Sequence, residues 1–355
     1  MIGGRLKQAR LAAGFSMEQL AQQVNLSRNM IKKYEHDESM PRSDMLIKLA
    51  QALKVHIEYF FRPMAVKLEG IKYRACSNMP KKQLNAIQAD VEEQIGRWLE
   101  LKDLWPNLPI AAYQKPALEV DFIDSMTQIE DVADELRQQW DLGRAALHNL
   151  IDVLEQRGIG VVITSVDAGN QFDGLVGIIE KHPFVVVSDQ WPGDRQRFTL
   201  AHELGHLVME GLLSDEIDEE LACNRFAGAF LLPSNEIYTQ LGPRRKKLEL
   251  QELYMLKHEY GLSMQGCIHR AADLGIISDS HRQELRRLFK QMGWREKEPG
   301  LAYPNEQTHL FKQLVYRALA ESMITESKAA ELLGITVANF YRERQMELSD
   351  AAISC

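Results

Sequence analysis

The stretch GDRQRFTLAHELGHLVME, residues 193–210, places two histidines four positions apart with a glutamate after the first: His202-Glu203-Leu204-Gly205-His206. On a helix, residues four apart project from one face with Cα atoms roughly 6 Å apart. That spacing suits two imidazoles on one zinc ion and leaves room for a further ligand and a water. Counted around a helix, Thr199, His202, Glu203, His206 and Glu210 share one side, while Leu200, Leu204, Leu207 and Val208 share the other. The same pattern could be only the solvated polar face of an amphipathic helix. An H-E-x-x-H string arises by chance in such a chain at roughly the percent level, so a third ligand decides between the two readings.

The stretch SDEIDEELACNRFAGAFLLPSNE, residues 214–236, is the place to look for one. Its pattern predicts a helix from about Glu216 to Leu232, ended by Pro233. Glu219 falls in the middle of the apolar face with Cys223, Phe226 and Phe230, and Glu220 at its edge with Asn224 and Leu231. A carboxylate aimed at a core needs a partner, which a zinc ion would provide. A favourable helix dipole accounts for Asp215, Glu216 and Asp218 but not for these two. The spacing alone leaves Glu219 and Glu220 both open.

These residues carry a resemblance. RFTLAHELGHLVME, followed by E-x-x-C-N-R-F-A-x-x-F-L-L-P, resembles the ImmA/IrrE family of metallopeptidases, which have a compact gluzincin-like fold. Matching Asn224, Phe226, Ala227 and Pro233 to the family pattern implies that Glu220 is the third ligand beside His202 and His206. Cys223 departs from the alanine usual there, a small-for-small change. The resemblance implies Zn2+ as cofactor, Glu203 as the general base of peptide hydrolysis, and Asn224 as the residue that orients a ligand imidazole. It continues through LKHEYGLSMQGCIHRAADLGIIS and GWREKEP. An extended substrate is expected along an edge strand, for which PFVVVSD is the candidate. Tyr238, His182 and His258 are candidates for stabilising the oxyanion.

The first sixty residues point to a different chemistry. Ser16 is placed to cap a helix MEQLAQQV, NLS makes a turn, and Ser27 caps RNMIKKYEHD. Leu20 and Ala21 supply the small and apolar packing positions of a helix-turn-helix. The second helix exposes Arg28, Asn29, Lys32 and Lys33 while Ile31 and Tyr34 face inward. Arginine and asparagine suit base edges, and lysines suit phosphates. A further cap at Ser43 and a closing HIEYFF complete five short helices, the first over about Ile2 to Ala13, around Leu6, Leu20, Ala21, Val24, Ile31, Leu46, Leu49 and Leu53. The segment SMEQLAQQVNLSRNMIKKYEHDESMPRSDMLIKLAQALKV resembles the XRE (Cro/C1-type repressor) family over its full length, which implies a five-helix lambda-repressor-like fold and double-stranded operator DNA as partner. Met17 departs from the polar residue usual there.

Charge agrees with that division. The whole chain of 355 residues has a net charge of −8, but residues 1–62 hold ten Lys/Arg against six Asp/Glu, a net of +4, so the rest carries −12. A polyanion would meet the head. The four cysteines (Cys76, Cys223, Cys267, Cys355) are scattered, as expected of reduced thiols in the cytoplasm, and no long apolar run suggests a membrane span or a secretion signal.

The remaining pattern reads as follows. KLEGIKYRA precedes a long charged helix, KKQLNAIQADVEEQIGRWLELKDLW. Helices follow from Ile129 to about Gln139 and over LGRAALHNLIDVLEQRG. Three strand-like runs, IGVVITSV, DGLVGIIE and PFVVVSD, come next, the last two joined by a tight KHP turn, and all segments after the histidine helix read as helical. No internal repeat appears. AAELLGITVANFYRER has a helix–turn–helix rhythm but no basic excess, so it reads as a structural hairpin. The expected fold is mainly α with a small α+β zincin-like (gluzincin-type) metallopeptidase domain and the N-terminal helix-turn-helix. The expected domains are 1–63 for DNA binding, 64–128 as helical connector, 129–240 as peptidase core and 241–355 as a C-terminal helical region. The expected function is a homodimeric DNA-binding regulator whose zinc endopeptidase cleaves a specific repressor- or antitoxin-like protein, such as the product of a neighbouring gene, or cleaves the chain itself. The rival is a non-proteolytic repressor or antitoxin-type autoregulator whose peptidase-like domain docks a partner. A general degradative protease fits least.

Overall fold

The computed structural model describes residues 2–61, 79–179 and 181–346; the KLEGIKYRA segment, the 63/64 boundary, Cys76 and Cys355 lie outside the described residues. The head is built from α1 (Ile2–Ala12), α2 (Met17–Gln23), α3 (Arg28–Glu35), α4 (Ser43–Leu53) and a 3-10 turn over Ile57–Phe61. Ser16 and Gln19 form a reciprocal capping box at 3.1 and 2.9 Å, and Ser27 Oγ accepts from Met30 N at 3.3 Å. Ser43 is not a cap. It is the first residue of α4, after Arg42, which makes no side-chain cap bond. The eight apolar residues expected inside the head are all buried in one cluster. Met17 packs against that cluster, which accounts for an apolar residue at this position. Glu35 is fixed by Arg10, whose Nε and Nη2 reach its two oxygens at 2.5 and 3.0 Å while Nη1 donates to Phe15 O.

Beyond the head, α5 (Lys81–Leu104) is the spine of the molecule. Arg5 of α1 donates to Glu93 of α5 at 2.8 Å, and Arg97 holds the other Glu93 oxygen at 3.2 Å, so the head is docked through a buried ion pair. Ile87, Val91, Ile95 and Leu99 of α5 cover one face of a three-stranded sheet, meeting Val162, Leu175, Phe184 and Val186. The sheet has β1 (Gly160–Thr164), β2 (Gly174–Ile179) and β3 (His182–Ser188) in the order β1-β3-β2. β1 runs parallel to β3 and β2 antiparallel to it. PFVVVSD is therefore the central strand and not an edge. Every residue of β3 after His182 is buried, as a strand flanked on both sides requires. Ile179 pairs with His182, so His182 and Pro183 lie in the strand rather than in the turn.

The other sheet face, with Val161, Val185 and Val187, packs on the helix that bears the histidines, α8 (Gly193–Val208). Before the sheet lie α6 (Met126–Gln139) and α7 (Leu150–Gln156). α7 is shorter than its sequence pattern suggested. Arg137 donates to the carbonyls of Gly143 and Ala145, which holds those residues out of helix, and Asn149 caps the new start by accepting from Asp152 N. After α8 come α9 (Glu219–Leu231), α10 (Ser234–Leu241), α11 (Leu250–Tyr260), α12 (Met264–Asp273) and α13 (Asp279–Gln291). One hydrophobic core runs from Ile123 to Phe289, across the 240/241 boundary expected from the sequence.

Residues 295–309 are not helical, contrary to the expectation, because their polar groups bond to other elements instead of to their own turns. Tyr303 O accepts from Gly193 N, and Glu298 caps α12 through Met264 N and Gln265 N while binding Lys257, which also pairs with Asp194 of α8. The chain then closes with α14 (Leu310–Ala320), α15 (Glu326–Leu333) and α16 (Val337–Arg344), packed on Leu101 and Trp105 at the end of α5. This hairpin repeats the local design of α2 and α3, a repeat that residue identity does not reveal. Caps at Thr325 and Thr336 match Ser16 and Ser27, left-handed Gly334 matches Asn25, and buried Phe340 matches Ile31. Of its cations, Arg344 pairs with Glu326, to which Tyr341 also donates, and Lys312 of α14 pairs with Glu343, while Arg342 is exposed; Arg28, Lys32 and Lys33 of α3 are all exposed. That is the physical difference between the two hairpins.

Candidate functional site

α8 crosses the sheet with Leu200 and Leu204 turned into the core, which leaves His202, Glu203 and His206 facing α9 and β2. Gly205 allows the approach of α9: a Cβ there would stand 3.1 Å from the Phe226 ring and 3.4 Å from Cys223 Cα. α9 begins at Glu219 and not near Glu216, because Asp218 caps it by accepting from Leu221 N at 2.9 Å. The first turn thus projects past the core, so Glu219 and Glu220 are both exposed rather than aimed inward.

The structure brings His202, His206 and Glu220 together. His202 Nε2 and His206 Nε2 face each other at 3.2 Å, Glu220 Oε2 lies 3.3 Å from His202 Nε2, and Glu220 Oε1 lies 3.7 Å from His206 Nε2. A tetrahedral ion with bonds of about 2.0–2.2 Å needs donors about 3.3–3.5 Å apart. The far side of each ring is also engaged. His202 Nδ1 donates to Asn224 Oδ1 at 3.1 Å, and His206 Nδ1 donates to Glu219 Oε1 at 3.0 Å. With both protons on Nδ1, two lone pairs meet between the rings, an arrangement that a cation relieves. Burial, and then the neighbouring His206, push the His202 pKa down, which keeps its imidazole neutral and able to ligate. The three donors fit a divalent metal ion. Glu219, weighed from the sequence as an alternative third ligand, is instead the partner of His206.

Glu203 is only 7% exposed, so the face of α8 that carries it is not a solvated polar stripe. Burial, reinforced by the charges of Glu220 and Asp173, pushes its carboxyl up to about 8. Its neighbour across the cleft is Gly174 at the start of β2: a Cβ there would lie 3.8 Å from Glu203 Oε1 and 2.5 Å from Thr199 Cγ2. Among the described residues β2 is an outer strand of the sheet, and it is β2, through Gly174, that meets Glu203.

Of the three oxyanion candidates, His182 and Tyr238 bond to other groups, whereas the buried Nε2 of His258 has no hydrogen-bond partner among the described residues. His182 sits on the α5 side of the sheet, 2.6 Å from Lys102 Nζ. Tyr238 donates to Leu274 O, and His258 packs against Tyr254 and Tyr303. Sequence reasoning also missed Arg197, fully buried on α8, which pairs with Glu306 and donates to Leu147 O. A single arginine in a polar stretch gives no local sign of a partner 109 residues away.

On the head, Arg28, Asn29, Lys32 and Lys33 are all exposed along α3, and Ser27 is occupied by capping. Ile31 and Tyr34 are buried, so α3 presents its cations outward from a fixed base.

Residues 6–60 match the helix-turn-helix family, and residues 154–272 match the family described as IrrE N-terminal-like domain. The chain is similar to the radiation response metalloprotease IrrE of Deinococcus deserti, 33% identical over 117 residues that cover 28% of this chain and 39% of that protein. It is also similar to the HTH-type transcriptional regulator ImmR of Bacillus subtilis, 36% identical over 58 residues that cover 16% of this chain and 46% of that protein. The chain therefore spans less than half the length of either relative.

Proposed function

We propose that this chain, which joins an XRE-type helix-turn-helix domain to an IrrE N-terminal-like metallopeptidase domain, is a transcriptional regulator that binds operator DNA as a homodimer and cleaves one specific regulatory protein. The substrate is a repressor or antitoxin-like protein, encoded nearby, or the chain's own head. The observation that carries the peptidase half is the convergence of His202, His206 and Glu220, with each histidine held from behind and Glu203 beside them. A zinc ion bound by these three would supply Lewis acidity toward a water and the scissile carbonyl. Glu203, which the charge of that ion would hold ionised, takes a proton from the attacking water and delivers it to the leaving amine. An extended substrate adds to the free edge of β2, which brings its backbone past Glu203. The non-proteolytic reading, a repressor with a docking module, needs no buried carboxylate at position 203. No helix among the described residues is long and apolar enough to cross a membrane. With Cys223 and Cys267 both buried and unpaired, we place the protein in the cytoplasm.

Metal content tests the site. Purified chain is expected to carry about one zinc, and His206→Ala or Glu220→Ala to lose most of it, since each removes one of three protein ligands. A Glu220→Ala chain that keeps its metal would overturn the ligand set.

DNA binding is tested on the full chain with an operator selected from random duplexes. Arg28→Ala should relax sequence preference by about 1–3 kcal/mol at one base pair. Lys33→Ala should weaken all sequences alike and lower the salt slope by about one. Equal losses on selected and random DNA for both variants would remove Arg28 from base reading.

A further inference from the structure

We propose that Glu219 is a positioning residue of the metal centre, acting through His206 and not as a ligand; this rests on the zinc-site reading above. The two ligand imidazoles are oriented unequally. His202 Nδ1 meets the neutral amide of Asn224 at 3.1 Å, whereas His206 Nδ1 meets the carboxylate of Glu219 at 3.0 Å. A hydrogen bond to an ionised acceptor is roughly twice as strong as one between neutral groups. The carboxylate therefore locks the His206 tautomer with its Nε2 lone pair turned toward His202 and Glu220.

The fold places Glu219 for this task. It is the first residue of α9, directly after the Asp218 cap, so its Cα is fixed by a capped turn. Gly205 lets α9 stand close to α8 at Cys223 and Phe226, just beyond that turn. Glu219 and Glu220 are adjacent on the chain, yet the first turn splits them around one imidazole. Glu219 takes its outer nitrogen at 3.0 Å and Glu220 approaches its inner one at 3.7 Å.

The side chain of Glu219 is 45% exposed. An exposed ion pair contributes little to folding, so removal of the carboxylate should act on the metal and spare the fold. That separates a positioning role from a structural one.

The test uses the full chain, with Zn2+ affinity measured by competition with a chromophoric chelator and the Co2+ form followed by its visible absorption. Glu219→Ala is expected to weaken zinc binding about 10–100-fold and to change the Co2+ spectrum. Glu219→Gln keeps an acceptor oxygen without the charge and should fall between Ala and wild type. Glu216→Ala removes the same charge from an exposed position in the same segment, and at moderate salt should stay within about twofold of wild type. Melting of the metal-free forms should be alike in all four proteins. Equal zinc affinity in wild type and Glu219→Ala overturns the proposal, as does an equal loss in Glu216→Ala. A wild-type chain that takes up no zinc overturns the site reading itself.

Discussion

Glu203→Gln is expected to leave the fold, the zinc content and DNA binding intact while lowering peptide cleavage by about 10²–10⁴-fold, the range of a lost general base. The carboxyl is not among the three clustered donors, so the metal has no reason to leave. Glutamine is nearly isosteric in a position that is 7% exposed, and because it cannot ionise it removes a buried group whose pKa is pushed up to about 8. Its amide cannot accept a proton from water. Wild type and variant are to be expressed beside the neighbouring genes, and the neighbours examined for a protein that accumulates intact only with the variant. A neighbour trimmed equally by both excludes Glu203 as the base. If no protein is trimmed by the wild type under any stress, the docking-module reading takes the place of the peptidase.

Glu306→Ala is expected to destabilise the peptidase domain by about 3–5 kcal/mol, because it leaves a buried arginine without its countercharge. Arg197 is fully buried, and its guanidinium is held by Glu306, Leu147 O and Tyr260 O. Glu306 does further work with the same carboxylate, accepting from Leu150 N at 2.9 Å and Ile151 N at 2.8 Å and so capping α7. One side chain thus ties the extended segment to both α7 and the histidine helix. Urea unfolding followed by tryptophan fluorescence measures the loss. Replacement of both partners, Arg197→Met with Glu306→Leu, should recover part of it, since no isolated charge remains. A single-variant loss below about 1 kcal/mol, the range of a surface pair, would show that the pair is not a tie.

What the sequence by itself determined was local. The caps at Ser16 and Ser27, the eight apolar residues of the head and the outward side of α3 follow from helical periodicity, which acts over a few residues. The same holds for His202 and His206, whose four-residue spacing places them on one face before any tertiary contact forms. The sequence reading places PFVVVSD at a sheet edge, although PFVVV is a continuous apolar run of the kind a central strand needs and β2 is broken by glycines.

Tertiary structure decided the rest, wherever two assignments differed by one residue or by one long-range partner. Glu219 and Glu220 have the same charge and adjacent positions, and only the start of α9 at the Asp218 cap turns one toward the donors and the other behind His206. Arg5 with Glu93, and Arg197 with Glu306, are pairs 88 and 109 residues apart. Their formation depends on how the elements pack, because each arginine reads locally as one more solvated charge. The hairpins α2–α3 and α15–α16 share one backbone design, yet in the second Arg344 is taken up by Glu326, whereas Arg28, Lys32 and Lys33 of the first all stand exposed. Periodicity fixes which face of a helix is apolar, but the partner of a buried charge is fixed only when that face meets its neighbour.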